Sequence, residues 1–378
     1  MNILVVCNYG LYADLSFSFV HNQIREYAAL GHNVRVIIPN GVGKKGRNGS
    51  RFGAPVMCAV ADGVQMCDVR YVTLSRFGNR YFNTASAIAA IRLHWTRLLD
   101  DFQPDVIHAH TLGFDSEIGF WLKKKLGCPL VVTTHGSDTY VPYGNGQKNV
   151  LKHHANQADT IVCVSSMLRR TLEDCQVDTD MKVILNGFNV SSSVIEEKEP
   201  NRVTQVGSLI PSKKTDITIR AISLLRGQEV AANLTVIGSG EELDNLKKLC
   251  SDLNMDEHVL FTGQLPNPQV HKHLAHSAYF VMPSVREGFG IVYLEAMAAG
   301  CITIGTEGEG IADLINHGEN GFLVPADDPA AIARIITDCR ANPEWAKKIA
   351  LRGKEAALGL TWEKNAQQYL ALFGELQK

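Results

Sequence analysis

No stretch of this chain approaches the ~20 consecutive apolar residues that a membrane helix needs, so the sequence predicts no transmembrane span. Nor does it open like a signal peptide. Met1-Asn2 lead straight into Ile3-Leu4-Val5-Val6-Cys7, with no basic n-region and no small-residue cleavage site. That run is too short for an h-region and reads as a first buried strand. An excess of one charge is missing too: the formal net charge is −2, which gives no global field to draw in nucleic acid. The nine cysteines contain no C-x-x-C pair, and Cys7, Cys163 and Cys301 sit in apolar runs. This pattern suits reduced core thiols in a cytoplasmic protein. No carboxylate or cysteine stands at ligand-like spacing from His108 and His110, so these read as packing at a strand end, and no metal is expected.

What is present is a repeating alternation. Short Val/Ile-rich runs fall at 3–7, 34–38, 105–109, 129–133, 160–164 and 181–185. They resume at 202–206, 233–237, 258–262, 278–282, 301–305 and 321–324. They lack the strict alternation of a half-exposed sheet, and helix-length amphipathic stretches separate them. Strands covered on both faces read this way, so the fold class is α/β with mostly parallel sheets. A length of 378 residues suits two domains. The polar segment 189–201, ending Glu199-Pro200-Asn201, reads as the linker. It divides the chain into halves of 1–190 and 200–360, followed by a final amphipathic helix over 361–378 that Thr361 can cap. The glycine-rich basic stretch 40–54 reads as a solvated loop, with an anionic acceptor or a lipid surface as the sharper alternative.

The segment from Ser284 to Gly300 carries the most chemistry. A strand ends at Pro283, Gly288 and Gly290 permit a tight turn, a helix begins at Ile291, and Gly300 ends it. A glycine turn into a helix start presents backbone N–H groups and a positive dipole end, which suits a diphosphate. Glu287 lies in the turn and Glu295 in the second helical turn, whose side chains lean back toward the N-terminus. Both would repel phosphate, so they should flank it and accept hydrogen bonds from hydroxyls.

In its context E-G-F-G-I-V-Y-L-E-A-M-A-A-G, the pair Glu287 and Glu295 resembles the E-x7-E signature of retaining glycosyltransferase family 4. Further segments extend the resemblance along nearly the whole chain. Val206-Gly207-Ser208-Leu209-Ile210-Pro211-Ser212-Lys213 resembles the family's G-R-L-x-x-x-K segment. Val236-Ile237-Gly238-Ser239-Gly240-Glu241 resembles its V-x-G-x-G turn, and His317–Val324 its H-G-x-N-G-x-L-V segment. The resemblance implies a GT-B fold: two Rossmann-like domains facing a cleft, the C-terminal helix returning to the first. It implies an acceptor-side N-terminal domain and a donor-binding second one. Lys213 would bind donor phosphate, Glu287 the sugar and Glu295 the ribose. Gly207, Gly238, Gly288, Phe289, Gly290, Ile291 and Val292 would line the donor site through their backbone. His135, in Thr134-His135-Gly136-Ser137-Asp138, would face the reacting sugar, with Asp138 and Gly10 near the acceptor.

Several positions depart from the family pattern. Ser208 stands where many relatives carry an arginine, and Lys214 where they carry glycine. The first turn, Asn8-Tyr9-Gly10-Leu11, lacks a Gly-Gly pair; Phe19-Val20-His21-Asn22-Gln23-Ile24 matches instead the subgroup reading F-V-x-x-Q-I. Asp178-Thr179-Asp180 spells the D-x-D of metal-dependent transferases of another fold, but falls between a helix and a strand and reads as a turn. The expectation is transfer, with retention, from a nucleoside diphosphate sugar (UDP by default) to a hydroxyl acceptor of a cell-surface glycan or glycolipid. No metal or other cofactor is expected. Peripheral contact at the inner face of a membrane stays open. So do a sugar-nucleotide epimerase and a non-catalytic nucleotide-sugar-binding subunit.

Overall fold

A computed structural model describes residues 1–8, 19–42, 55–73, 80–99, 101–189 and 197–377. The chain forms two compact units, Met1–Gly187 with Trp362–Lys378, and Phe188–Thr361.

The first unit is built on an eight-stranded sheet: β1 (Asn2–Val6), β2 (Asn33–Val42), β3 (Val56–Ala61), β4 (Val64–Val72), β5 (Val106–His110), β6 (Leu130–Thr134), β7 (Thr160–Cys163) and β8 (Asp180–Val183). Their order is β3-β4-β2-β1-β5-β6-β7-β8. All neighbours are parallel except β3 and β4. The all-apolar runs are strands buried on both faces; Ile3 to Val6 and Leu130 to Val132 are fully buried, as a helix-covered parallel sheet requires. The final helix, Trp362–Glu375, packs on this unit. Tyr369, Leu372 and Phe373 enter its core beside Val20, Ile24 and Tyr27. Each such aromatic contributes about 1.5–3 kcal/mol by burial. Asn365 fixes the register of this helix: its Oδ1 accepts Gln23 Nε2 at 2.6 Å and its Nδ2 donates to Leu185 O at 2.8 Å.

The hairpin β3–β4 corrects the sequence reading, which gave no strand between 38 and 105. Asp68 and Arg70 interrupt the apolar pattern of β4, and Met57 and Val60 of β3 are exposed, so neither run looks like a buried strand. The hairpin also corrects the expectation of reduced thiols. Its register sets Cys58 opposite Cys67, Cα atoms 4.1 Å apart, and the two form a disulfide. The other seven cysteines, Cys7, Cys163 and Cys301 among them, are buried and take no part in a disulfide.

The second unit carries a six-stranded parallel sheet of β9 (Glu199–Val206), β10 (Asn233–Ile237), β11 (Val259–Gly263), β12 (Ser277–Val281), β13 (Ile302–Thr306) and β14 (Phe322–Val324), ordered β11-β10-β9-β12-β13-β14. Its core includes Val203, Leu234, Val236, Val281 and Ile304 from the sheet and Ile219, Ile222 and Ile332 from the covering helices. The first strand starts three residues before the Arg202 restart read from sequence. Pro200 lies at its beginning, where a missing N–H is tolerated. Among the described residues, no helix is long and apolar enough to cross a membrane.

Candidate functional site

In open α/β sheets, ligands bind beyond the carboxyl ends of the strands. In the second unit three such ends run side by side. Gly207 N–H donates to Ile237 O at 2.9 Å and Gly238 N–H to Gly263 O at 2.9 Å, so the loops after β9, β10 and β11 continue the sheet's pairing. Gly238 has φ +143°, and a Cβ there would lie 1.9 Å from Gly207 O. Glycine is required by both the backbone angle and the approach. Gly238→Ala is expected to cost the second unit more than ~3 kcal/mol, read as a fall in the denaturant midpoint of that unit; an unchanged midpoint would show that the two loops can separate freely.

Lys213 ends a short 3-10 turn, Pro211–Lys213, just after β9. Its Nζ donates to Glu287 Oε2, forming an ion pair whose side chains are both about four-fifths buried. The two segments are also tied through the main chain, Val285 N–H donating to Ser212 O at 2.8 Å. Ser208 is exposed and brings no charge. Lys214 takes φ +51°, and its ammonium donates to Asp327 at 2.6 Å. The structure therefore engages Lys214 on a carboxylate of its own, while Lys213 faces the glutamate turn.

The turn itself is compressed. Arg286 has φ +58° and Gly290 φ +79°. A Cβ on Gly290 would meet the Tyr293 ring at 2.8 Å and Glu287 Cγ at 3.3 Å. Tyr293, fully buried, pins the helix Ile291–Ala298 to the end of β12: its hydroxyl donates to Met282 O at 2.5 Å and lies 3.1 Å from Ser284 Oγ. Phe289 turns its ring into the core, 1% exposed, so only its backbone can face a ligand. Ile291 and Val292 open the helix and are partly exposed. Gly288 is buried. Glu295 is partly buried, its Oε1 3.6 Å from His271 Nε2. Two residues absent from the sequence reading thus join this site. His271 faces Glu295, and Glu309 Oε2 accepts the Glu287 N–H at 2.9 Å. Burial pushes the Glu309 carboxyl above its usual range, against the backbone N–H bonds it accepts from Glu287 and Arg286.

Three histidines of the first unit, His108, His110 and His135, gather at β5 and the end of β6. His110 Nδ1 and His135 Nε2 are 3.0 Å apart with their rings stacked at 14°. His108 Nε2 lies 2.8 Å from the Thr133 hydroxyl, which is 3.0 Å from Tyr369 OH. His108 and His110 are fully buried, in keeping with a packing role, and His135 partly so. Burial drives His108 down to about 3, His135 to about 4 and His110 well below the ordinary imidazole value. Asp138 knits the two loops: its Oδ1 accepts the His135 and Gly136 amides at 3.0 and 2.9 Å, its Oδ2 the Leu112 amide at 2.9 Å. The second of these loops holds Thr111 at φ +83°, an unfavourable angle for a β-branched residue. Asp115, fully buried and missed from sequence, accepts the Thr111 hydroxyl at 2.9 Å, and burial raises its carboxyl to about 8. Gly10 and the basic stretch from Gly43 to Ala54 lie outside the described residues. In the D-x-D segment, Asp178 accepts Asn156 Nδ2 at 3.0 Å and pairs with Lys152 at 3.1 Å, while Thr179 donates to Ala155 O at 3.0 Å. These bonds build a turn against the C-terminal end of the helix Lys148–Ala155.

Comparison with known proteins fits this geometry. Residues 189–356 match the family model for glycosyl transferases group 1, and residues 18–192 that for glycosyltransferase family 4. An uncharacterized glycosyltransferase of Methanocaldococcus jannaschii is 28% identical over 273 residues, 72% of this chain and 76% of that protein. The N-acetyl-alpha-D-glucosaminyl L-malate synthase of Bacillus anthracis is 26% identical over 286 residues, 71% of this chain and 74% of that one. Among solved structures, Anabaena HepE in complex with UDP aligns with a TM-score of 0.73 at 19% identity, covering 99% of this chain and all of that one (100%). With its two parallel-sheet units, the chain belongs to glycosyltransferase family 4 and has the GT-B fold.

Proposed function

We propose that this glycosyltransferase takes a hexosyl group from a nucleoside diphosphate sugar, a UDP-sugar first, and passes it with retention to a hydroxyl acceptor in cell-surface polysaccharide or glycolipid synthesis. The observation that carries the reading is the Lys213–Glu287 pair beside a glycine turn and a helix start. A cation, backbone amides and a hydroxyl-binding carboxylate converge there at strand ends. Lys213 and the amides of 289–292 neutralise the leaving diphosphate, and Glu287 orients the sugar as it gains oxocarbenium character. Glu295 holds the ribose. The UDP bound in Anabaena HepE and the N-acetylglucosaminyl group in the Bacillus relative's name support a UDP-sugar. Retention, His135 as a sugar contact, and Asp138 and Gly10 as acceptor-side residues rest on the family segments. No step is assigned to a metal. The leaving phosphate takes the acceptor proton, so no protein base is needed.

The test is a donor-hydrolysis screen with the full chain over UDP-glucose, UDP-galactose, UDP-N-acetylglucosamine and GDP-mannose, with released nucleotide as the readout. Slow hydrolysis of one UDP-sugar is expected, and Lys213→Met should weaken UDP binding by roughly 10- to 100-fold, the value of a charge-assisted contact. Tight UDP binding with no turnover on any donor or added acceptor would favour the non-catalytic alternative.

A further inference from the structure

Glu287 is held through its backbone as well as its side chain. Glu309, in the loop after β13, accepts the Glu287 N–H at 2.9 Å and the Arg286 N–H beside it. The same loop answers in the other direction, Gly310 N–H donating to Glu287 O at 3.3 Å. The two loops are in close contact: a Cβ on Gly310 would lie 2.1 Å from Gly288 O.

This is a costly way to fasten a turn. Glu309 is partly buried, and its charge lies near that of Glu287, so burial and like-charge repulsion both oppose its ionised form. What it returns is a charged acceptor for two successive amides, a bond roughly twice as strong as a neutral one. Those two amides converge because Arg286 sits in the left-handed region at φ +58°, the backbone shape that forms an anion-binding concavity. A non-glycine residue there costs on the order of 1 kcal/mol or more, so the turn needs an external hold. The backbone angle at Arg286 in turn decides the direction in which the Glu287 side chain leaves.

We propose that Glu309 is a positioning residue for sugar transfer: by capturing the Arg286 and Glu287 amides it aims the Glu287 carboxylate at the donor sugar. The inference rests on the reading of Glu287 as the sugar-side carboxylate. It assigns Glu309 no contact with the diphosphate, which belongs to Lys213 and the helix start. Loss of Glu309 therefore acts on turnover and spares nucleotide affinity.

The experiment measures hydrolysis of UDP-glucose, UDP-galactose, UDP-N-acetylglucosamine and GDP-mannose, and calorimetric binding of UDP, for the wild-type chain, Glu309→Ala, Glu309→Gln and Glu287→Gln. Glu309→Ala should lower kcat by at least ~10-fold, since small misplacements of a reacting group cost that much and more, with KM and the Kd for UDP within about threefold of wild type. Glu309→Gln, whose amide oxygen can accept the same two N–H groups, should recover most of the loss. Wild-type kcat in Glu309→Ala overturns the proposal. So does a loss matched by an equal fall in UDP affinity and thermal midpoint that glutamine does not rescue, because that pattern marks a merely structural loop. If Glu287→Gln is as active as wild type, or wild type turns over none of the four donors, the underlying reading fails and this one with it. If Glu287→Gln is impaired while Glu309→Ala is not, this proposal alone falls.

Discussion

Glu287→Gln is expected to reduce kcat by on the order of 100-fold while leaving the fold and nucleotide affinity intact. Three features set that expectation. Glu287 is partly exposed and the helix that follows its turn is pinned by Tyr293, so folding does not depend on its charge. Its carboxylate is the group that Lys213 faces, so the substitution removes the counter-charge of the phosphate-binding cation. That change leaves UDP binding equal or tighter, because Lys213 no longer shares its protons with a carboxylate and one negative group near the diphosphate is gone. The cost falls on the step in which the sugar becomes cationic, where a removed preorganised polar group is worth about 100- to 1,000-fold. The decisive measurement is the split between kcat for donor hydrolysis and Kd for UDP. Full turnover in the variant, or parallel losses in both quantities, would remove Glu287 from the chemistry.

The sequence disclosed this site unevenly, for identifiable reasons. Glu287 and Glu295 were legible because each stands at a fixed offset from a helix start, and backbone geometry converts those offsets into position; Lys213 was named only through the resemblance of its segment to the family's G-R-L-x-x-x-K. Gly238 and Gly290 were legible as turn residues, since nothing else tolerates their angles and approaches. Glu309 was not: 22 residues separate it from Glu287, and only the parallel pairing of β12 with β13 brings their loops together. The same holds for His271, which reaches Glu295 from the helix preceding β12. The β3–β4 hairpin escaped because its pattern is mixed: Asp68 is buried within β4 while Val60 on β3 is exposed. With that hairpin unread, the Cys58–Cys67 pairing could not be seen either, because a disulfide depends on register and not on spacing. The departure at Ser208 was visible from the beginning; that Lys214 is turned onto Asp327 was not.

The stability of the first unit should peak near pH ~7 and fall on both sides, with slopes set by four buried groups. His108, His110 and His135 are held neutral by burial, with His108 at about 3 and His135 at about 4. In the unfolded chain each imidazole titrates near ~6.5. Between pH 4.5 and 6 the unfolded state therefore binds three protons that the folded state refuses. Asp115 acts with the opposite sign: its carboxyl, raised to about 8 by burial, keeps a proton that the unfolded chain releases near ~3.9. The net difference is two protons in favour of the unfolded state, so stability declines by roughly 2.7 kcal/mol for each pH unit of acidification in that window. Such a slope can exhaust a marginal fold within a few units. Between pH 7 and 8 the unfolded imidazoles give up their last protons while Asp115, at about 8, keeps most of its own. The folded state then binds about half a proton more, and stability declines by roughly 0.7 kcal/mol per unit as pH rises. Denaturant unfolding from pH 4.5 to 8.5 reads both limbs. Asp115→Asn should flatten the alkaline limb and steepen the acid one to roughly 4 kcal/mol per unit, whatever the substitution costs at its maximum. His108→Asn should instead lower the acid slope by roughly 1.4 kcal/mol per unit and leave the alkaline limb alone. An acid slope unchanged by His108→Asn would mean that the imidazole takes up its proton inside the fold, and with it that the cluster at β5 and the end of β6 is open to water.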